Sequence, residues 1–248
     1  CVQKVLLKTW IYSKVQNVGL FDNSFIGLSS ALLDLLFCQS FVISSNMKSN
    51  LLSFLFFWKK GIIIINGIGR YRNNKTFRLI LFILLYLNWR KRVIVQSYAD
   101  YRYFIRYSTK KYYWIPGSGG SLKGKGSILN MVSVQRDSKI NLVDASLSLL
   151  ASQYPSKTLY VVGCSKTSPL FLMNNVQSVG YVNTDDIFLN GGTFIQPTGY
   201  GEGFPHSLAD AIVSDLIIYI ESKEYIRYGL CKLGGTRKRI LNGWYILS

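Results

Sequence analysis

The feature that most limits what this chain can fold into is the rhythm of its second half. Short apolar runs rich in β-branched residues alternate there with amphipathic stretches. Ile128 to Val134 reads as a strand, and Asn141 to Gln153 reads as a helix that Pro155 stops, with Leu142, Ala145, Leu149 and Leu150 on one face. Thr158 to Val162, Val176 to Tyr181, Thr193 to Pro197 and Leu216 to Ile220 read as further strands, and His206 to Val213 as a helix. The connections are too long for hairpins, so the strands must run parallel with helices packed on both faces of the sheet. In such sheets ligands sit beyond the carboxyl ends of the strands. The loops after Val134, Val162 and Pro197 are therefore the places where chemistry is expected.

The first half carries a weaker version of the same pattern. Gly61 to Asn66 is short, β-branched and bounded by glycine, which suits a buried parallel strand. Phe77 to Asn88 is long enough for a helix, Val93 to Gln96 reads as a strand, Asp100 to Arg106 as a helix and Tyr112 to Ile115 as a strand. The stretch Ser118 to Ser127, rich in Gly, Ser and Lys, is the best linker. No apolar run approaches the roughly 20 residues that span a bilayer. Arg90-Lys91-Arg92 has two readings: a solvated helix end, where cations suit the dipole, or a patch against anionic lipid helped by Phe77, Phe82, Tyr86 and Trp89.

Charge separates the halves. Cys1 to Ile115 holds 17 basic and 3 acidic residues, a net +14, and Pro116 to Ser248 holds 12 and 9, a net +3. A surplus of that size favours an anionic partner. Tyr101 to Tyr113 interleaves aromatic and basic residues in a way that can stack on single-stranded nucleic acid. The cysteines, Cys1, Cys38, Cys164 and Cys231, form no C-x-x-C pair and read as reduced thiols. His206 is the only histidine, which disfavours histidine-ligated metals. The chain opens at Cys1 without the pattern of a secretory leader, and it is expected to be a fragment or a processed piece.

Several chemistries fall away. Gly119 to Gly126 approaches the G-x4-G-K-[ST] phosphate loop, but Gly126 replaces the hydroxyl and a strand, not a helix, follows. No G-x-S-x-G accompanies His206, and no D-x-D is present; Asp185-Asp186 reads as a turn. The richest constellation is Gln196-Pro-Thr-Gly-Tyr-Gly-Glu202-Gly203-Phe204-Pro205-His206-Ser-Leu-Ala-Asp210. A strand ends, a Gly-rich loop carries Glu202, Pro205 suits a helix start, and Asp210 follows on the helix. Such a start suits a sugar or a diphosphate, and two acids can accept from several hydroxyls. From the spacing alone, a tight turn in which Glu202 caps the helix is favoured over a binding loop.

These residues resemble the P-S/T-x-x-E-G-F-P/G-x4-E-A signature of retaining glycosyltransferases of family 4. Trp114-Ile-Pro-Gly-Ser-Gly119, Gln135-Arg136-Asp-Ser-Lys139, Leu159 to Gly163 and Val179 to Val182 are similar to further segments of that family, as are Ile64 to Arg70 and Val93 to Asp100. The resemblance covers about residues 40 to 230. It implies an α/β GT-B fold of two Rossmann-like domains, the N-terminal one truncated: an acceptor-side domain over 1–115, a nucleotide-sugar domain over 116–234 and a tail over 235–248. It implies a retaining, hexosyltransferase-type enzyme of bacterial surface polysaccharide (O-antigen or capsule, lipopolysaccharide biosynthesis). This enzyme would need no cofactor or metal and would act on a lipid-linked acceptor at the inner face of the cell membrane. By the same resemblance Glu202 would contact the donor sugar, the backbone of Gly203, Phe204 and Pro205 would line the sugar–diphosphate pocket, and Asp210 would hold the ribose. Arg136 would pair with the diphosphate, with Lys139 near it. Asp210 stands where the family has glutamate, and the family's lysine position is Asn141. The competing expectation is an impaired fragment that binds membrane or nucleic acid by its charge, with nucleic acid the less expected of the two.

Overall fold

The computed structural model describes residues 41–68, 71, 74–117, 120–121, 131–138, 140–165, 168–182, 192–197, 203–233, 237–241 and 244–247, with single positions between 29 and 37. Its strands form two sheets.

The first sheet is wound in one direction. β1 (Val42–Ser45), α1 (Met47–Leu55), β2 (Gly61–Ile65), α2 (Lys75–Leu87), β3 (Lys91–Val95), α3 (Tyr98–Tyr107) and β4 (Tyr112–Trp114) follow one another. The strands pair in the order β1-β2-β3-β4, each pair parallel. Right-handed crossovers that always step the same way put every connecting helix on the same face. Burial alternates accordingly along β1, β2 and β3. Ile63, Ile65, Val93 and Val95 pack with Phe54, Leu81, Leu85, Phe104 and Tyr112 in one core. The helices begin where the side chains of Asn46, Asn74 and Ser97 accept from backbone N–H groups of the first turn, caps worth about 1 kcal/mol each.

The basic triplet is divided between two environments. Arg90 and Arg92 are exposed, whereas Lys91 opens β3 and is 2% exposed. Its Nζ donates to the carbonyls of Ser53 and Phe56 (2.9 Å to the latter) and to Asn88 Oδ1 at 2.6 Å. Lys110 Nζ donates to the carbonyls of Leu85 (2.9 Å) and Asn88 (2.8 Å). The two ammonium groups thus satisfy carbonyls at the carboxyl ends of α1 and α2, where the helix dipole favours cations. The triplet is neither a solvated helix end nor one continuous patch, because its middle member is used inside.

The second sheet is wound both ways. β5 (Met131–Val134), α4 (Asp144–Gln153), β6 (Leu159–Val162), β7 (Val176–Gly180), β8 (Thr193–Gln196), α5 (His206–Val213), β9 (Ile217–Glu221), α6 (Ser222–Arg227), β10 (Arg237–Leu241) and β11 (Trp244–Leu247) follow in sequence. In space the order is β10-β11-β9-β8-β5-β6-β7, with β5 to β9 all parallel. Two cores result. Val132, Val162, Phe194 and Ile218 pack with α5 and α6 on one face, and Met131, Val161 and Ile195 pack with α4 on the other.

Two expectations need correction here. The helix begins at Asp144, after a separate 3-10 turn over Ile140–Leu142. This shifts its phase, so Leu147, Leu150 and Ala151 are buried while Leu142 and Leu149 are 64% and 53% exposed. Within 235–248, expected to be a tail, the described residues form two strands of the second sheet. β11 pairs antiparallel with β9, and β10 with β11, because Trp244 and Leu247 reach the two cores and extend them over the edge strand.

Candidate functional site

The order of strands in the second sheet reverses at β5: the chain moves outward through β6 and β7, returns, and continues through β8 and β9 on the other side. At such a reversal the loops after the two central strands diverge and leave a crevice. The loop after β5 carries Gln135, Arg136 and Asp137, and β8 ends at Gln196, with Pro197 following it. Gln135 is buried, its Nε2 donating to Ser133 Oγ at 2.9 Å. The next strand's Gly163 has φ +84°, and a Cβ there would lie 2.4 Å from the Gln135 carbonyl oxygen, so only glycine lets these two loops close up. Asp137 Oδ1 accepts from Ser165 N at 2.6 Å and Ser165 Oγ at 2.8 Å, tying the loops after β5 and β6. Arg136 is exposed beside this tie.

α5 starts beside the same crevice. Pro205 is its extended N-cap residue. Phe204 is 7% exposed and anchors the turn in the core against Tyr228, with ring centres 5.7 Å apart. Asp210, one turn into the helix, accepts from Ser121 N at 2.7 Å and Ser121 Oγ at 3.2 Å through Oδ1. The neighbouring Gly120 lies so close to the helix that a Cβ would sit 2.3 Å from the Ala209 carbonyl oxygen. Gly120 and Ser121 are therefore held against α5, Ser121 through the carboxylate that sequence reading assigned to a ligand.

The carboxyl ends of both sheets meet here. Gly203 packs on the loops after β2 and β3, where a Cβ would lie 1.6 Å from the Asn66 carbonyl oxygen and 3.1 Å from Gln96 Cβ. A second contact lies at Gly229, φ +71°, beneath Trp114 and Tyr98. The indole of Trp114 is held by its own N–H donating to the Gln96 carbonyl at 3.3 Å. In the first sheet Asp100, 1% exposed, accepts from the Ile68 amide at 3.3 Å and fixes the loop after β2.

Of the site residues expected from sequence, Arg136, Gly203, Phe204, Pro205 and Asp210 lie around this crevice. Glu202 and Lys139 lie outside the described residues, as do most of the linker Ser118–Ser127 and Asp185-Asp186. Cys164 is buried, and burial, followed by Asp137 and Asp144, pushes its thiol up to about 11, which makes it an inert core group. Sequence reading missed Ser121, Asp137, Asn66 and Gln96. Ser121 was hidden in a stretch that reads as linker, and the others are polar residues at strand ends whose partners are far away in sequence.

No protein-family model and no curated protein matches the chain. Solved structures do. The crystal structure of TarM aligns with 16% identity and a TM-score of 0.58, covering 79% of this chain and 44% of TarM. A mutant of S. aureus TarM in complex with fondaparinux, α-GlcNAc-glycerol and UDP aligns with 16% identity and a TM-score of 0.57, over 78% of this chain and 44% of that one. The GtfA/B complex aligns with 14% identity and a TM-score of 0.55, over 79% and 45%. The chain thus spans less than half the length of each structure it matches. Its two sheets, parallel except for β10 and β11 and meeting at their carboxyl ends, have an α/β fold similar to that of GT-B glycosyltransferases.

Proposed function

We propose that the chain is part of a retaining glycosyltransferase that moves a sugar from a nucleoside-diphosphate sugar to a lipid-linked saccharide in surface-polysaccharide assembly. One observation carries this reading: α5, with Asp210, begins at the strand-order reversal and faces the strand ends of the first sheet across Gly203. A donor bound there has its diphosphate at the start of a helix and its sugar toward the other sheet, where an acceptor can approach. The likeness to a TarM mutant solved with UDP supports a uridine nucleotide as the donor's leaving group.

In this reading Ser121 holds Oδ1 of Asp210 and leaves Oδ2 for a ribose hydroxyl. Arg136 stands over the diphosphate, where negative charge grows as the bond from the anomeric carbon to the phosphate oxygen breaks. Lys139 assists it. Glu202 fixes the sugar hydroxyls, and the backbone of Gly203, Phe204 and Pro205 lines the pocket. The acceptor hydroxyl attacks the face that the diphosphate leaves, its proton passing to the departing phosphate, so that configuration is retained.

A second reading, a basic surface binder without turnover, is favoured by the charge of the first sheet alone. Calorimetric titration with UDP and GDP separates the two. Asp210→Ala should weaken the nucleotide by about 10- to 150-fold, the worth of roughly 1.5–3 kcal/mol for a hydrogen bond to a charged group. Arg136→Ala should weaken the diphosphates and leave uridine unaffected. Equal nucleotide affinity in the parent and both variants would sink the donor-site reading, and a parent chain that binds neither nucleotide would favour the surface binder.

A further inference from the structure

α2 is apolar on both sides. Leu81 and Leu85 are buried in the first core, yet Leu79, Ile80, Ile83, Tyr86 and Leu87 are between 49% and 78% exposed. At 100° per residue these five share an arc of about 120° on the outward face. A helix that is apolar all round is ordinarily buried on all sides. Here the outward arc is an unpartnered face among the described residues, and it ends at Trp89, 71% exposed. The Arg90 guanidinium lies over the Trp89 ring at 5.1 Å and donates to the Trp58 carbonyl at 3.1 Å, so two tryptophans and a cation share one rim.

The charge around this face identifies what covers it. From Phe41 to Ile115 the sequence has 14 basic residues and one acid, Asp100, which is 1% exposed and turned inward onto the Ile68 amide. The outside of the first sheet and its helices therefore carries no negative charge from side chains over this stretch. A second copy seated on α2 would bring Lys75, Arg90 and their neighbours against the same cations. A nucleic acid would take the cations and leave the apolar arc wet. An anionic bilayer accepts both, with the apolar arc at the acyl boundary, tryptophans at the headgroups and cations on phosphates.

We propose that the outer face of α2 is a lipid-docking surface that lies flat on an anionic membrane. It does not span it: 13 residues reach about 20 Å against a hydrocarbon core of roughly 30 Å, and no described helix is long and apolar enough to cross. The docking surface extends the acceptor part of the reading above, since it holds the first sheet at the surface where a lipid-linked acceptor resides. It does not need the donor site, so a null result with UDP leaves it standing.

Flotation with phosphatidylglycerol vesicles, beside phosphatidylcholine vesicles, tests it on the whole chain. The parent should float with the anionic vesicles, far less with the zwitterionic ones, and be released by salt. The double variant Ile80→Ser, Ile83→Ser should bind about tenfold more weakly or worse, from the apolar area it withholds. Leu172→Ser, at an 85% exposed position in the 3-10 turn between β6 and β7, should bind as the parent does. Tyr86→Ser, 78% exposed, gives the same reading should the double variant lose its circular dichroism. Unchanged flotation of both α2 variants, equal binding to the two lipids, or no binding at all would overturn the proposal. A parent dimer in sedimentation velocity that the double variant abolishes would overturn it in favour of a second copy.

Discussion

The two sheets are built from the same unit, a parallel strand, a crossover and the next strand, yet they end with different numbers of cores. The first steps one way through β1, β2, β3 and β4 and has one core. The second reverses at β5, so its helices fall on both faces, and consecutive residues of one strand, Phe194 and Ile195, belong to different cores. The opposite row of the first sheet, Ile43, Ile62, Ile64 and Ile94, is exposed or only half-buried. On that side a concavity of about 460 Å³ is lined by Ile62, Arg92, Ile94 and Tyr113 with no carboxylate. Winding direction therefore decides both how a sheet is covered and where it opens a crevice. Among the described residues, only the reversed sheet gathers acids, glycines and a helix start at one place.

The largest effect that can break this comparison is in the cores. Phe194→Ala and Ile195→Ala point to opposite faces, and each should cost about 2–5 kcal/mol in denaturant unfolding. In the first sheet Ile63→Ala should cost as much, whereas Ile43→Ala, at a position 56% exposed, should stay within about 1 kcal/mol. An equal penalty at Ile43 would show that the first sheet is covered on both faces after all.

A smaller effect concerns the join between the sheets. Gly180 and Gly229 both have positive φ, +72° and +71°, but a Cβ on Gly180 meets nothing within 4 Å while one on Gly229 lies 2.6 Å from Trp114. Gly180→Ala should cost only the left-handed conformation, about 1 kcal/mol. Gly229→Ala adds overpacking and should reach about 2–4 kcal/mol, seen as a lower thermal midpoint. Equal losses would mean that the two sheets do not bear on each other at Gly229.

The smallest is a dependence on pH. Burial pulls Lys91 down to about 8, with Lys110 and Lys59 adding to it, and burial alone pulls Lys110 down to about 8. Their unfolded value is 10.5, so between about pH 8 and 10.5 the unfolded chain holds more protons, and stability should rise with pH across that window. Below it the cost of the buried charges is fully present. Lys91→Met should flatten part of the rise in urea midpoints. A parent profile that falls through the same window would show that the carbonyl cups favour the charged forms.

Between Gly61 and Glu221 the type and order of strands and helices were largely legible because they depend on local pattern: His206–Val213 is a helix over the residues expected, and Gly61–Ile65 is a strand, whereas β1, α1, α6, β10 and β11 were not read. Helix phase was less legible. The turn at Ile140–Leu142 uses three residues per turn rather than 3.6, so Leu142 and Leu149 turned outward. Around the crevice, the turn Gly203-Phe204-Pro205 and Asp210 lie in the segment that the family resemblance singled out. Ser121 could not, because its partner Asp210 is 89 residues away and nothing in Gly-Gly-Ser marks a clamp.

The sequence by itself determined most of the strands and helices between Gly61 and Glu221, the excess of positive charge in the first half, and the run of residues that starts α5. Those are properties of short stretches, fixed by backbone preference, side-chain period and composition. The tertiary structure alone decided that β5 lies between β6 and β8, that Lys91 and Lys110 turn inward to helix ends, and that Gly203 meets Asn66. Each of these depends on which distant backbone groups are brought within hydrogen-bond or van der Waals distance, and that is set by how the crossovers wind.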